Sequence, residues 1–371
     1  MDRPVRIALD AMGGDFGPSV VAPAAAAFLN RQPNAVFLMF GDQKQIEPYL
    51  TANPILAAAT TIRHTDFAIG MADKPSKALR AGRRTSSMWM AIEAVKKGEA
   101  DCAVSAGNTG VLMAMSKVCL GTMAQVDRPA LAAIWPTLRG RSIVLDVGAT
   151  IGANAQRFVD LAIMGSAMAR SLFSLERPTV GLLNVGVEVI EGAEEIKAAS
   201  HLLQDLDSPT LKYRGFVKGD DIGKGTVDVV VTEGFTGNIA LKTAEGTQKQ
   251  IAALLREGRG HSLIAKLGFI IARNAFLEFK ARMTPRESSG ALLLGLDGVV
   301  FKSHGGASAD VFSGAIGIAH DIARHGLLEE IRDRMSESWE EHAVALEGGG
   351  QASIATVISA DGVTDSKFTP I

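Results

Sequence analysis

Residues Ile7 to Asp15, IALDAMGGD, put an apolar strand, a carboxylate and a glycine pair within nine positions. Val5, Ile7 and Leu9 form a run fit for burial, and Gly13-Gly14 allow a turn that side chains would forbid. Pro18 then suits the first turn of an Ala-rich helix over Val20 to Leu29. The resulting unit of strand, glycine loop and helix recurs along the chain. Asp101 to Ser105 runs into SAGNTG and a helix over Val111 to Leu120, and Ser142 to Leu145 runs into Asp146-Val147-Gly148-Ala149 and a helix over Asn154 to Phe173. Thr179 to Asn184 ends at Val185-Gly186, and Val227 to Val231 leads to Gly234-Phe235-Thr236-Gly237-Asn238. Leu292 to Ser303 reads as one strand run ending in Lys302-Ser303-His304-Gly305-Gly306, with a helix over Ser308 to His325. Such alternation predicts an α/β fold, a layered Rossmann-like sheet flanked by helices.

Composition narrows the function. The 371 residues carry 38 Lys plus Arg against 40 Asp plus Glu, so there is no chain-wide basic field of the kind that binds nucleic acid. Cys102 and Cys119 are the only cysteines, and their Ala and Val neighbours suit buried thiols in a reducing compartment. Neither a metal nor a cofactor is expected. No leader and no run of about 18 apolar residues is found, so the expectation is a cytoplasmic protein. Residues 1–345 read as one α/β domain and 346–371, rich in Gly, Ser and Thr, as a mobile tail.

Two segments concentrate positive charge. Between Met71 and Arg84 lie Lys74, Lys77, Arg80, Arg83 and Arg84 against the single acid Asp73, which suits either anion handling or a solvated face. Ser86 follows as a helix cap whose hydroxyl and nearby amides also suit an anion. From Lys249 to Arg282 there are seven Lys or Arg against two Glu, interleaved with apolar residues and divided by Gly258 and Gly260. Residues 238–285 are therefore read as a basic helical hairpin, fit for a dimer contact, for packing on its own core or for an anionic membrane. Asn108 and Thr109 offer uncharged donors, as a plain cap or toward an oxyanion. GDDIGKGT, Gly219 to Thr226, lacks the spacing of a phosphate-binding P-loop.

In order along the chain, IALDAMGGD, KPSKALR, SAGNTG, RPALAAIWPT, LDVGA, GLLNVG, VVTEGFTGNIALKTAEG and LLGLDGVVFKSHG resemble the PlsX family of phosphate acyltransferases over most of Arg6 to Arg324. The pattern departs from the family's at Ala149 to Ala153, Val187 to Ala193 and Ser289 to Leu292. The resemblance implies transfer of a long-chain acyl group from acyl carrier protein to inorganic phosphate, giving acyl phosphate for bacterial phospholipid synthesis. It implies a fold similar to phosphotransacetylases and isocitrate-type dehydrogenases, a homodimer, peripheral membrane contact and a downstream membrane glycerol-3-phosphate acyltransferase.

That reaction needs an anion held against a thioester carbonyl and a stabilised oxyanion. Phosphate holding is assigned to Lys302, the Gly13 and Gly14 amides, and Lys74 or Lys77, with Ser86, Thr109, Asn184 and Ser303 as further binding candidates. Asn108 and Asn238 are the oxyanion candidates, His304 the proton carrier, and Asp10 the group that orients Lys302 or His304. Two other classes stay open on residues alone. A nicotinamide-dependent decarboxylating dehydrogenase would lack its GxGxxG after the first strand, and a non-catalytic membrane scaffold would not need the polar glycine loops.

Overall fold

A computed structural model describes residues 3–124, 126–188, 190–206, 208–260, 271–275, 278 and 290–336. The expected second arm of the hairpin, apart from 271–275 and 278, and the tail lie outside the described residues. The first half of the chain supplies β1 (Arg6–Asp10), α1 (Pro18–Leu29), β2 (Val36–Gly41), α2 (Gln43–Thr51), α3 (Pro54–Ala58) and β3 (Thr60–His64). It continues with α4 (Pro75–Gly82), α5 (Ser87–Lys96), β4 (Cys102–Ser105), α6 (Thr109–Leu120), β5 (Ala130–Thr137) and β6 (Gly140–Leu145). The second half supplies α7 (Ala155–Phe173), β7 (Thr179–Leu183), α8 (Glu194–Asp205), β8 (Lys212–Val217), α9 (Gly219–Lys224) and β9 (Val229–Val231). It closes with α10 (Gly234–Gly260), β10 (Gly290–Leu294), β11 (Val299–Ser303) and α11 (Ala309–Arg324), followed by helical residues 327–336.

The eleven strands among the described residues form one sheet in the order β3-β2-β1-β4-β11-β10-β5-β6-β9-β7-β8. The strands from β3 to β11 in that order pair in parallel, as do those from β6 to β8. Between them β10 pairs antiparallel with both β11 and β5, and β5 antiparallel with β6. The two parallel halves therefore run in opposite directions and meet at an antiparallel seam. On one face α1, α11, α7 and α8 cover the core around Phe37, Leu145, Phe301 and Phe312; on the other α5 and α6 cover Met88, Ile92, Leu112 and Val300.

The seam corrects one sequence expectation. Leu292 to Ser303 is a hairpin of two strands, not a single run, because Gly295 takes φ +86°, a left-handed backbone that favours glycine, and Asp297-Gly298 completes the reversal. The expected break at Gly258 is also absent, since α10 is continuous from Gly234 to Gly260. The caps at Ser86 and Asn108, by contrast, are ones the sequence offers, and Asn154 and Ser308 add two more. Ser86, Asn108, Asn154 and Ser308 each accept a backbone N–H from the first turn of α5, α6, α7 and α11 through their side chains. Cys102 and Cys119 are buried free thiols. Among the described residues no helix is long and apolar enough to cross a membrane.

The loop after β6 hangs on one carboxylate. Asp146 is fully buried; its Oδ1 accepts from the amides of Leu131, Gly148 and Ala149 at 3.0, 3.0 and 2.8 Å. Its Oδ2 accepts from the Thr150 amide and hydroxyl at 3.0 and 2.8 Å. Asp146→Ala strands these donors, and the expected loss is about 3 kcal/mol or more of unfolding free energy in chemical denaturation. A loss within about 0.5 kcal/mol would show that the carboxylate does not hold the loop.

Candidate functional site

Register across the seam fixes the floor of the site. Lys302 stands opposite Ala291, Ala291 opposite Ala133, and Ala133 opposite Val144, so these four share one face in one row. Two methyl groups in mid-row leave space above the sheet that larger side chains would fill. A cleft of about 1030 Å³ opens there, between α6 (Thr109, Met113, Lys117) and α10 (Asn238, Leu241, Glu245). Leu131, Trp135 and Val118 add apolar surface, and Val147 to Thr150, the loop held by Asp146, closes one end. Lys302, Ser303 and His304 line the other.

Three neighbouring parallel strands, β1, β4 and β11, bring Asp10, Ser105 and Lys302 to one end of the sheet. The Ser105 hydroxyl donates to Asp10 Oδ2 at 2.6 Å and accepts from the Gly107 amide at 3.0 Å. A Cβ at Gly13 would lie 2.6 Å from that Asp10 oxygen and 2.9 Å from the Gly107 nitrogen, so the first glycine loop can approach only as glycine. The Asp15 amide donates to the Gly305 carbonyl at 2.9 Å, joining the first loop to the last. Burial pushes the Asp10 carboxyl above its ordinary range, while the Ser105 hydrogen bond opposes that shift.

Lys302 is only 7% exposed. Its ammonium donates to the Ala106 carbonyl at 3.3 Å and to its neighbour Ser303's carbonyl. Burial, and then the Lys242 ammonium, lower its pKa to about 8 against the pull of Asp10, Asp15 and Glu245. His304 is half-exposed, with Nδ1 3.8 Å from Glu245 Oε1. Burial comes first in lowering its pKa; Glu245 opposes this, while Lys302, Lys242 and Lys249 reinforce it.

The structure gathers Lys302, Ser303, His304, Thr109 and Asn238 around the cleft. Asn238 is exposed, a Cβ at Gly148 would lie 3.5 Å from its amide, and it makes no side-chain hydrogen bond to another described residue. The other candidates stand elsewhere. Asn108 is spent locally, its Oδ1 capping α6 through the Val111 amide at 3.0 Å and its Nδ2 donating to the Met71 carbonyl at 2.7 Å. Ser86 is buried between the Gly82 carbonyl, 2.9 Å away, and the Trp89 amide. Asn184 lies at the end of β7, donating to the Glu191 carbonyl at 3.0 Å. Lys74 and Lys77 are exposed on α4 and outside the cleft lining. Gly14 packs beside Gly305 and Ala106, behind the lining.

Sequence reasoning noted Asp146 at a strand end without giving it a role, and passed over Lys242 and Glu245. The signal for the last two was the spacing Asn238, Leu241, Lys242, Glu245, which puts polar groups on one side of a helix. Asp42, His64 and Asp66 hold one ligand atom each within 4.8 Å. His64 Nδ1 already accepts the Gln43 amide at 3.2 Å and Asp42 caps α2, so this group serves the loop in which it sits.

In fold, the chain is similar to solved phosphotransacetylases. It matches the EutD phosphotransacetylase of Staphylococcus aureus with a TM-score of 0.57 at 15% identity, over 86% of this chain and 94% of that one. A phosphotransacetylase of Streptococcus pyogenes matches with a TM-score of 0.57 at 18% identity, over 87% and 95%. Residues 5–330 match the family described as fatty acid synthesis protein, and the chain belongs to that family. It is 59% identical over 351 residues to a phosphate acyltransferase of Beijerinckia indica, covering 94% of this chain and 91% of the relative. A phosphate acyltransferase of Methylocella silvestris is 61% identical over 342 residues, covering 92% of each.

The lysine's pKa carries a consequence for anion binding. Lys302 is charged below about pH 8 and neutral above it, so affinity for inorganic phosphate should fall as pH rises through that value. Calorimetric titration with phosphate across this range tests it. In Lys302→Arg the fall should vanish, since guanidinium stays charged; an unchanged profile would remove Lys302 from the anion site.

Proposed function

We propose that this protein is an acyltransferase that moves a long-chain acyl group from the thioester of acyl carrier protein to inorganic phosphate. One observation carries the reading: a buried ammonium stands beside an imidazole at the head of a cleft whose lining also offers a broad apolar surface, with Met113, Val118, Leu131, Ile134, Trp135 and Leu241. The ammonium suits a multiply charged oxyanion, and the apolar surface suits the hydrocarbon chain of the acyl donor. Membership of a family whose relatives are named phosphate acyltransferase supports the same reaction.

The reaction needs no covalent protein intermediate. A phosphate oxygen attacks the thioester carbonyl carbon, the carbon–sulfur bond breaks, and the proton of monohydrogen phosphate ends on the thiol. Lys302 holds the phosphate, and the Asn238 amide faces the same cleft as an oxyanion donor. His304, kept neutral by burial and by its lysine neighbours, accepts the phosphate proton and returns it to sulfur. The functional unit is a homodimer with peripheral membrane contact, and its unstable acyl phosphate passes to a membrane glycerol-3-phosphate acyltransferase.

The carrier is an acidic protein, and α4 suits its approach. Lys74, Lys77, Arg80, Arg83 and Arg84 are all exposed there. Pro75 lies 3.2 Å from the Cβ position of Gly110, and Gly110 lines the cleft, so a carrier on α4 sits at the cleft's rim. Steering by exposed charge acts on encounter more than on the chemical step.

Incubating the protein with long-chain acyl carrier protein and phosphate, and trapping acyl phosphate with hydroxylamine, tests the reaction. Product should depend on phosphate and fall on the order of a hundredfold or more in Lys302→Ala. No product from folded protein across several chain lengths would refute the assignment. Lys77→Glu with Arg80→Glu should cut kcat/KM for the carrier on the order of tenfold and flatten its salt dependence, leaving turnover at saturation unchanged. Unaltered salt dependence would move docking to another surface.

A further inference from the structure

One wall of the cleft is helix α10, and its polar stripe is unusual in how it spends its charges. Glu245 has a partner on its own helix: Lys242 donates to its Oε2 at 2.9 Å. A glutamate paired at this spacing on an exposed surface would leave both oxygens in water. Here the side chain is only 22% exposed, and Oε1 is buried without a hydrogen-bond partner. A carboxylate oxygen shut away from both water and donors costs free energy. What Oε1 faces is His304 Nδ1, 3.8 Å away. The contact joins the two halves of the sheet, because α10 follows β9 and His304 follows β11.

We propose that Glu245 is a positioning residue for His304. Closing the gap by about 1 Å gives an Nδ1–H to Oε1 hydrogen bond, a contraction typical when substrate fills an apo site. That bond fixes the tautomer with the proton on Nδ1 and the lone pair on Nε2, the nitrogen left to take a proton. It also stabilises the imidazolium formed in passing. The inference rests on His304 as proton carrier in the transfer described above. In balance, the proton of monohydrogen phosphate moves to Nε2 as the phosphate oxygen bonds the carbonyl carbon. It then moves from Nε2 to the sulfur as the carbon–sulfur bond breaks, restoring neutral His304.

The charged groups acting on His304 are Glu245, Lys302, Lys242 and Lys249. Burial and the three lysines favour the neutral ring, and Glu245 alone of these favours the proton. Replacing Glu245 by Gln therefore makes His304 a weaker base that is neutral to lower pH. The acid limb of the kcat profile should move to lower pH while the plateau falls on the order of tenfold. Damage to folding would lower the rate without moving the limb. Lys242→Met should move the limb the other way, to higher pH, and Glu245→Asp should restore part of the plateau.

The test is the pH profile of acyl phosphate formation by wild type, Glu245→Gln, Glu245→Asp, Lys242→Met, His304→Gln and the Glu245→Gln, His304→Gln double variant. The double variant should be no slower than His304→Gln alone, since the two side chains act as a unit. If His304→Gln keeps the wild-type rate, the proton-carrier reading fails. If His304→Gln is slow while Glu245→Gln keeps both plateau and limb, that reading stands and the positioning role is overturned.

Discussion

An ammonium carried almost out of water is the constraint on which this molecule turns. Desolvating Lys302 is expensive, and a bare lysine in such a place would shed its proton. Two backbone carbonyls take its hydrogen bonds, and the carboxylates of Asp10, Asp15 and Glu245 offset its charge from further away. The balance stops short of neutralising it, at a pKa of about 8. A cation held that way suits an anion that brings its own charge into the cleft.

The fold supplies that environment through one reversal of direction. A parallel sheet of uniform direction would present its loops along one edge, and helices would cover its face throughout. Reversing β10 and β5 against their neighbours turns the second half over and interrupts the helical cover at the seam. Alanines at 133 and 291 then keep the uncovered strip hollow. The cleft is thus a property of strand order and of two methyl groups, whereas its chemistry belongs to the loops at its two ends.

Much of the fold could be read from the sequence because its rules are local. Apolar runs, glycine turns and a cap such as Ser86 act within a few residues of themselves, and they appear where the sequence puts them. Lys302 was legible for the same reason, since a lysine closing an apolar strand needs a purpose. The seam was missed because the apolar residues on either side of Gly295 and Asp297-Gly298 read as one strand run, although those three residues are turn formers. Asn108 was ambiguous in a deeper way. The chemistry that makes asparagine a good oxyanion donor also makes it a good cap, and only coordinates show the Val111 amide and Met71 carbonyl already using it. Glu245 was invisible because its meaning lies in a residue 59 positions away across the seam (304 − 245).

The positive charges of the chain divide by dielectric rather than by number. Those of α4 stand in water, where a Debye length of about 8 Å at physiological salt limits them to guiding what approaches. Lys302 is nearly buried at the cleft, where its charge is screened less than those on α4 and its pull on an anion depends also on its own protonation. Lys242 belongs to neither group: it is exposed enough to be hydrated and yet lowers the pKa of both Lys302 and His304. One helix, α10, therefore carries both the carboxylate that favours a proton on His304 and a lysine that opposes it. Any displacement of α10 along its axis changes both influences together.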